Sequence, residues 1–234
     1  MEKYNVGCMV CGEELVYGSE DSELKCIYCN DTFNSNVSCS KGHYICDGCH
    51  SKDSIDLIYS YCLNTSKTNP LKMAIELMKS NNINMHGPEH HFLVPAVIIS
   101  SYYNNIDKVE LKEEKLNIAK ERATKVPGGI CGNYGSCGVA VGTGLFMSVI
   151  TEATPLTEES WGLTNEITGH VLISMGKTGG PRCCKRNTFI AIEESSKFVE
   201  EKLSVKLYDY ENDKITCEFK RYNKQCIGKR CPFI

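Results

Sequence analysis

The sequence predicts a mainly α-helical protein with a small β-hairpin near its carboxy terminus and an amino-terminal metal module of the zinc-ribbon or treble-clef kind. Three observations carry this expectation. Residues 1–50 hold seven cysteines and two histidines among Gly, Asn, Asp and Ser, with little helical pattern. From Asp53 to Leu203 apolar residues recur at helical spacing. Residues 204–222, SVKLYDYENDKITCEFKRY, then read as two short strands around Glu211, Asn212 and Asp213. The expected division is a zinc-binding module at 1–50 and a cysteine-rich helical domain at 51–234.

In the module, the knuckles Cys8-x2-Cys11 and Cys26-x2-Cys29 are separated by 14 residues. Two residues between thiolates let the backbone offer both sulfurs to one tetrahedral ion. Cys39, His43, Cys46 and Cys49 follow with the spacing C-x3-H-x2-C-x2-C. Eight donors suffice for two zinc ions, in consecutive or interleaved sites, and iron would also suit the first as a rubredoxin-like centre. Closed sites of this type are structural. The second set resembles the central part of RING-like cross-brace modules without their final knuckle, which argues against a ubiquitin-ligase role.

The helical region begins with DSIDLIYSYCLN and NPLKMAIELMKS, the second with Asn69 and Pro70 suited to a helix start. HFLVPAVIISSYYNN and KVELKEEKLNIAKERATKV continue the pattern. Residues 126–151 carry no charged side chain, but Gly, Asn, Ser and Thr interrupt the apolar run. A spanning helix needs about 20 mostly apolar residues, so this stretch reads as a buried core helix. Within it Gly138, Gly142 and Gly144 are read as close-packing positions. TEESWGLTNEITGHVLISM follows, with His170 expected as a core histidine. A last helix places Phe189, Ile192, Val199 and Leu203 on one face. Cys62 and Cys217 are read as small core residues, the latter in a strand.

A second cysteine group comprises Cys131 and Cys137, Cys183 and Cys184, and Cys226 and Cys231. In GGPRCCKR, Gly180 as cap and Pro181 at the first helical position would set the double cysteine in a first turn beside Arg182, Lys185 and Arg186, where thiol pKa values fall. Adjacent cysteines strain a mutual disulfide. They suit metal ligation, or an attacking and a resolving thiol with different targets. The six could give four ligands to an iron–sulfur cluster. His86, Glu89, His90 and His91 could supply acid–base groups, so the catalytic candidates are Cys183, Cys184 and His90. Gly-Lys-Thr at 176–178 lacks phosphate-loop spacing, and the basic residues Lys220, Arg221, Lys224, Lys229 and Arg230 are read as a solvated face.

The combination HGPEHHFLVPAV, PGGICGNYGSCGVAVGTG, TPLTEESW and GPRCCKR, over about residues 85–234, resembles an uncharacterised cysteine-rich family of anaerobic bacteria and archaea. Its members are sometimes fused to methyltransferase-like domains, so the resemblance implies a methyl- or metal-transfer partner. SCGVAVG is similar to the GCAxxG motif of redox-active cysteine proteins. A net charge of -3 provides no general field for nucleic acid or anionic membrane. Fifteen cysteines in all, and an amino-terminal MEKYNVGCMV that lacks a signal-like apolar core, point to a reducing cytoplasm. The expected function is metal-dependent redox or sulfur handling through an iron–sulfur cluster or a reactive dithiol. The alternative is a zinc-stabilised interaction or auxiliary protein.

Overall fold

A computed structural model describes residues 8, 10, 11, 13–46, 49 and 53–234. The run MEKYNVG, read above for a signal, lies outside them. Antiparallel strands β1 (Leu15–Lys25) and β2 (Thr32–Cys39) form the hairpin, and their register sets Leu15 opposite Cys39 and Lys25 opposite Thr32. The hairpin therefore lies in the metal module. The expected carboxy-terminal hairpin is absent among the described residues: beyond Ser204 there are turns and the short 3-10 segments Lys220–Tyr222 and Gly228–Arg230. A backbone bond from Cys217 N–H to Phe233 O (2.8 Å) replaces a strand ladder, and the rings of Phe219 and Phe233 pack on Phe189.

The helices are α1 (Ser54–Asn64), α2 (Pro70–Lys79), α3 (Glu89–Asn105), α4 (Lys112–Thr124), the short α5 (Ile130–Asn133), α6 (Gly138–Ile150), α7 (Glu159–Thr178) and α8 (Cys184–Leu203). Local chemistry explains their starts. Asp53 Oδ1 accepts from Ile55 and Asp56 N–H, and Asn69 Oδ1 from Leu71 and Lys72 N–H with Pro70 behind it. Helix α3 is the axis of the domain: α1, α2, α4, α6 and α8 all pack on it, and it is buried around most of its circumference. No helix among the described residues is long and apolar enough to cross a membrane.

The small residues of α6 set its distance from α3. A Cβ at Gly142 would lie 2.9 Å from His91 O and 2.9 Å from Pro95 Cδ, both held by helical backbone. A Cβ at Gly138 would strike the His91 ring, and one at Gly144 would meet Thr168 Oγ1. Close packing, as expected from the spacing, is the role of all three. His170, expected in the core, is exposed on α7 with its ring edge against Phe198.

His90 is fully buried. Its Nε2 lies 3.0 Å from Asn84 O, which can only accept, so Nε2 carries the proton and Nδ1 accepts from Thr188 Oγ1 at 3.0 Å. Burial, reinforced by the Lys185 charge, pushes its pKa down to about 3. The unfolded chain takes up this proton near pH 6.5. The neutral histidine therefore contributes full stability above about pH 6.5, and that contribution drains away as pH falls toward 3, by up to about 1.4 kcal/mol per unit. Denaturant titrations at pH 7 and pH 5 in saturating zinc should show this slope, and His90→Gln should flatten it.

Candidate metal centres

Two groups of four donors come together in the module. Cys8, Cys11, Cys39 and His43 form one, and Cys26, Cys29, Cys46 and Cys49 the other, each with its donor atoms within 4.8 Å of one another. The sites are interleaved, and the hairpin explains why. The Cys26–Cys29 knuckle is the connection between β1 and β2, while the register carries Cys39 back beside Leu15, next to the first knuckle. A turn at Gly42 (φ +81°) lets Cys39 N–H reach His43 O at 2.8 Å. Ile27 N–H then bonds Tyr44 O at 3.1 Å, which leads Cys46 to the second knuckle.

The geometry suits a single tetrahedral ion in each. Zinc–sulfur bonds of about 2.3 Å place tetrahedral sulfurs roughly 3.8 Å apart. The observed approaches are 3.7 Å for Cys8 Sγ to His43 Nδ1, 3.4 Å for Cys11 Sγ to Cys39 Sγ and 3.8 Å for Cys29 Sγ to Cys46 Sγ. Backbone N–H groups of Val10, Lys41 and Cys46 point at Cys8, Cys39 and Cys26 sulfurs over 3.3–3.4 Å. Burial opposes ionisation of Cys39, but the Lys41 N–H and the neighbouring thiols and His43 bring it down to about 6. Cys26 is likewise lowered against its burial by three backbone N–H groups. Burial pushes Cys8 up to about 11 and Cys29 up to about 12, and raises Cys49. Each tetrad thus holds one readily ionised thiol, Cys39 or Cys26, beside thiols that burial holds protonated, Cys8 in the first and Cys29 and Cys49 in the second, and three or four thiolates this close require a cation between them.

The second cysteine group divides. Cys183, Cys226 and Cys231 line one cavity, open to solvent, between the start of α8 and the carboxy-terminal segment. Cys217, read above as a strand core residue, lines the same cavity. The only sequence signal for it is its place in Cys217-x8-Cys226-x4-Cys231. Cys184 faces elsewhere. It lies one turn before Asn187 on α8, and Asn187 Nδ2 donates to Cys137 Sγ at 3.4 Å. Among the described residues nothing joins Cys131, on α5, to either group. The six expected cofactor ligands are therefore three cavity residues, a separate pair and one outlier.

Cys183, rather than Gly180, caps α8: its Sγ accepts from Arg186 N–H at 3.4 Å. The expected fall in thiol pKa is reversed. Burial raises Cys183 despite the Arg186 N–H and charge, and lifts Cys184 to about 11. Desolvation outweighs the helix terminus here. His90, expected to meet substrate, has no exposed atom and both ring nitrogens occupied, so it buttresses α3 against α8 instead.

Residues 58–234 match a family of unknown function, DUF5714. The chain belongs to this family. The DUF5714 region thus contains the cavity, the Cys137 and Cys184 pair and every helix from α2 onward, whereas the two tetrads precede it. No curated protein and no solved structure matches the chain.

Proposed function

We propose that the chain is a metal-dependent redox or sulfur-handling protein in which two zinc ions hold the amino-terminal module and the thiols of the helical domain carry the chemistry. The observation that supports this most is the convergence of Cys183, Cys217, Cys226 and Cys231 on one cavity. The tetrads, with sulfur and one imidazole as donors and no open position, fit structural zinc. All fifteen cysteines are unpaired, which suits the reducing cytoplasm.

An equilibrium redox titration of the full chain, followed by visible absorption and thiol counting, tests the reading. A reversible transition confined to the helical-domain cysteines, with zinc constant at two per chain, is expected. Zinc alone with no reversible transition would leave the second reading, an interaction or auxiliary protein for a methyl- or metal-transfer enzyme. One observation favours that reading: Tyr17 (71%) and Val16 (51%) stand exposed on β1. Binding to a methyltransferase-like partner that Tyr17→Ser abolishes would establish it. Neither reading involves nucleic acid or a membrane.

A further inference from the structure

Cys183 enters the cavity from the cap of α8, whereas Cys217, Cys226 and Cys231 enter from the irregular segment folded over it. Among the described residues the only groups with donor atoms within 4.8 Å of one another are the two tetrads, so no three of these sulfurs are gathered as tightly. Four thiols line one space, and their spread points to a polynuclear centre rather than to one ion. A cubane cluster carries one cysteine on each of its four irons.

The surroundings fit an anionic iron–sulfur centre in two further ways. Sulfurs on both sides of the cavity already accept N–H donors: Cys183 from Arg186 N and Asn223 Nδ2, and Cys226 from Gly228 N, each at 3.4 Å. Such donors stabilise thiolates and help set cluster potential. Arg186 lines the cavity 95% buried; it donates to Gly179 O and Pro181 O, and among the described residues it has no carboxylate partner. A buried guanidinium on the cavity wall calls for negative charge beside it, which four cysteine thiolates on iron and sulfide would provide. Phe219, Ile227 and Phe233 supply the apolar shell that limits water.

We propose that Cys183, Cys217, Cys226 and Cys231 are the four ligands of a [4Fe–4S] cluster. Formation exchanges four thiol protons for four iron–sulfur bonds; two ferrous ions, two ferric ions and four sulfides make up the core, so no electron is gained or lost on assembly. The neighbouring Cys184 is not among the residues that line the cavity and is not a ligand. The inference rests on the redox reading above. A chain without iron or sulfide that still shows a reversible thiol–disulfide transition sinks the cluster and leaves that reading intact.

The test is iron, sulfide and zinc analysis of the full chain purified without oxygen, with Mössbauer spectra of the wild type and of Cys217→Ser and Cys131→Ser. About four iron and four sulfide per chain are expected beside two zinc, with a cubane signature. Cys217→Ser should lose the cubane signature, and Cys131→Ser should keep it, with zinc unchanged in both. A third zinc in place of iron and sulfide overturns the proposal, as does a cubane that persists in Cys217→Ser. A second measurement avoids substitution. In the native chain Cys183, Cys217, Cys226 and Cys231 should resist alkylation until the cluster is stripped, and free alkylation of any of the four in cluster-loaded protein equally overturns the assignment.

Discussion

Replacing Cys26 with serine is expected to remove one of two zinc ions and to destabilise the helical domain with it. Cys26, Cys46 and Cys49 belong to the same apolar cluster as Leu57, Ile58 and Tyr61 of α1, and the Tyr28 ring, inside the Cys26–Cys29 knuckle, meets Tyr61 edge-on at 6.1 Å. The first tetrad has only a small cluster of its own, formed by Cys8, Val10 and Cys39. Structural zinc sites contribute on the order of 10 kcal/mol to the folding of isolated modules. Losing a ligand of the second should therefore cost the helical transition about 3 kcal/mol or more, by analogy with other core losses. Cys39→Ser should release the other zinc while leaving that transition within about 1 kcal/mol. Calorimetry with metal analysis on both variants checks this; equal shifts of the helical transition would show that the two sites are energetically alike.

Gly142→Leu should destabilise the chain by about 3 kcal/mol or more, because the new side chain must displace either the His91 carbonyl or the Pro95 ring, and neither can rotate away. Gly169→Ala, on α7, should do the reverse. A Cβ there meets nothing within 4 Å, so the better helix propensity of alanine should add about 0.5–1 kcal/mol. Urea denaturation of the two variants tests the pair, and a neutral Gly142→Leu would mean that α3 and α6 can separate at little cost.

Gly142 also shows what the sequence made legible. The four-residue spacing of Gly138 and Gly142 within an apolar helix signalled close packing, and the contacts agree. The C-x2-C knuckles announced metal donors, because that pattern is local in the chain. Which knuckles share an ion was not local. It depends on the pairing of Leu15 with Cys39, and β1 conceals that pairing: its residues are almost all exposed, so no alternation of apolar and polar side chains marks the strand. At 204–222 the opposite holds: aromatic and aliphatic residues imitate strand alternation, but no strand forms there and Phe219 packs on Phe189 of α8. The same imitation conceals Cys217. The histidine segment misled for another reason. Imidazoles ahead of an apolar run look like site chemistry, but α3 is buried on nearly every side, so residues in its first turn enter the core.

The spacing of the donors along the chain has a biosynthetic consequence. All eight tetrad donors lie between Cys8 and Cys49, whereas the cavity is complete only with Cys231, 182 residues after Cys49 (231 minus 49). At about 5–20 residues per second a ribosome takes roughly 10–40 s to cover that interval. A nascent chain therefore exposes all eight tetrad donors while the rest of the protein is still being made, and the order of translation becomes the order in which the tetrads and the cavity are completed.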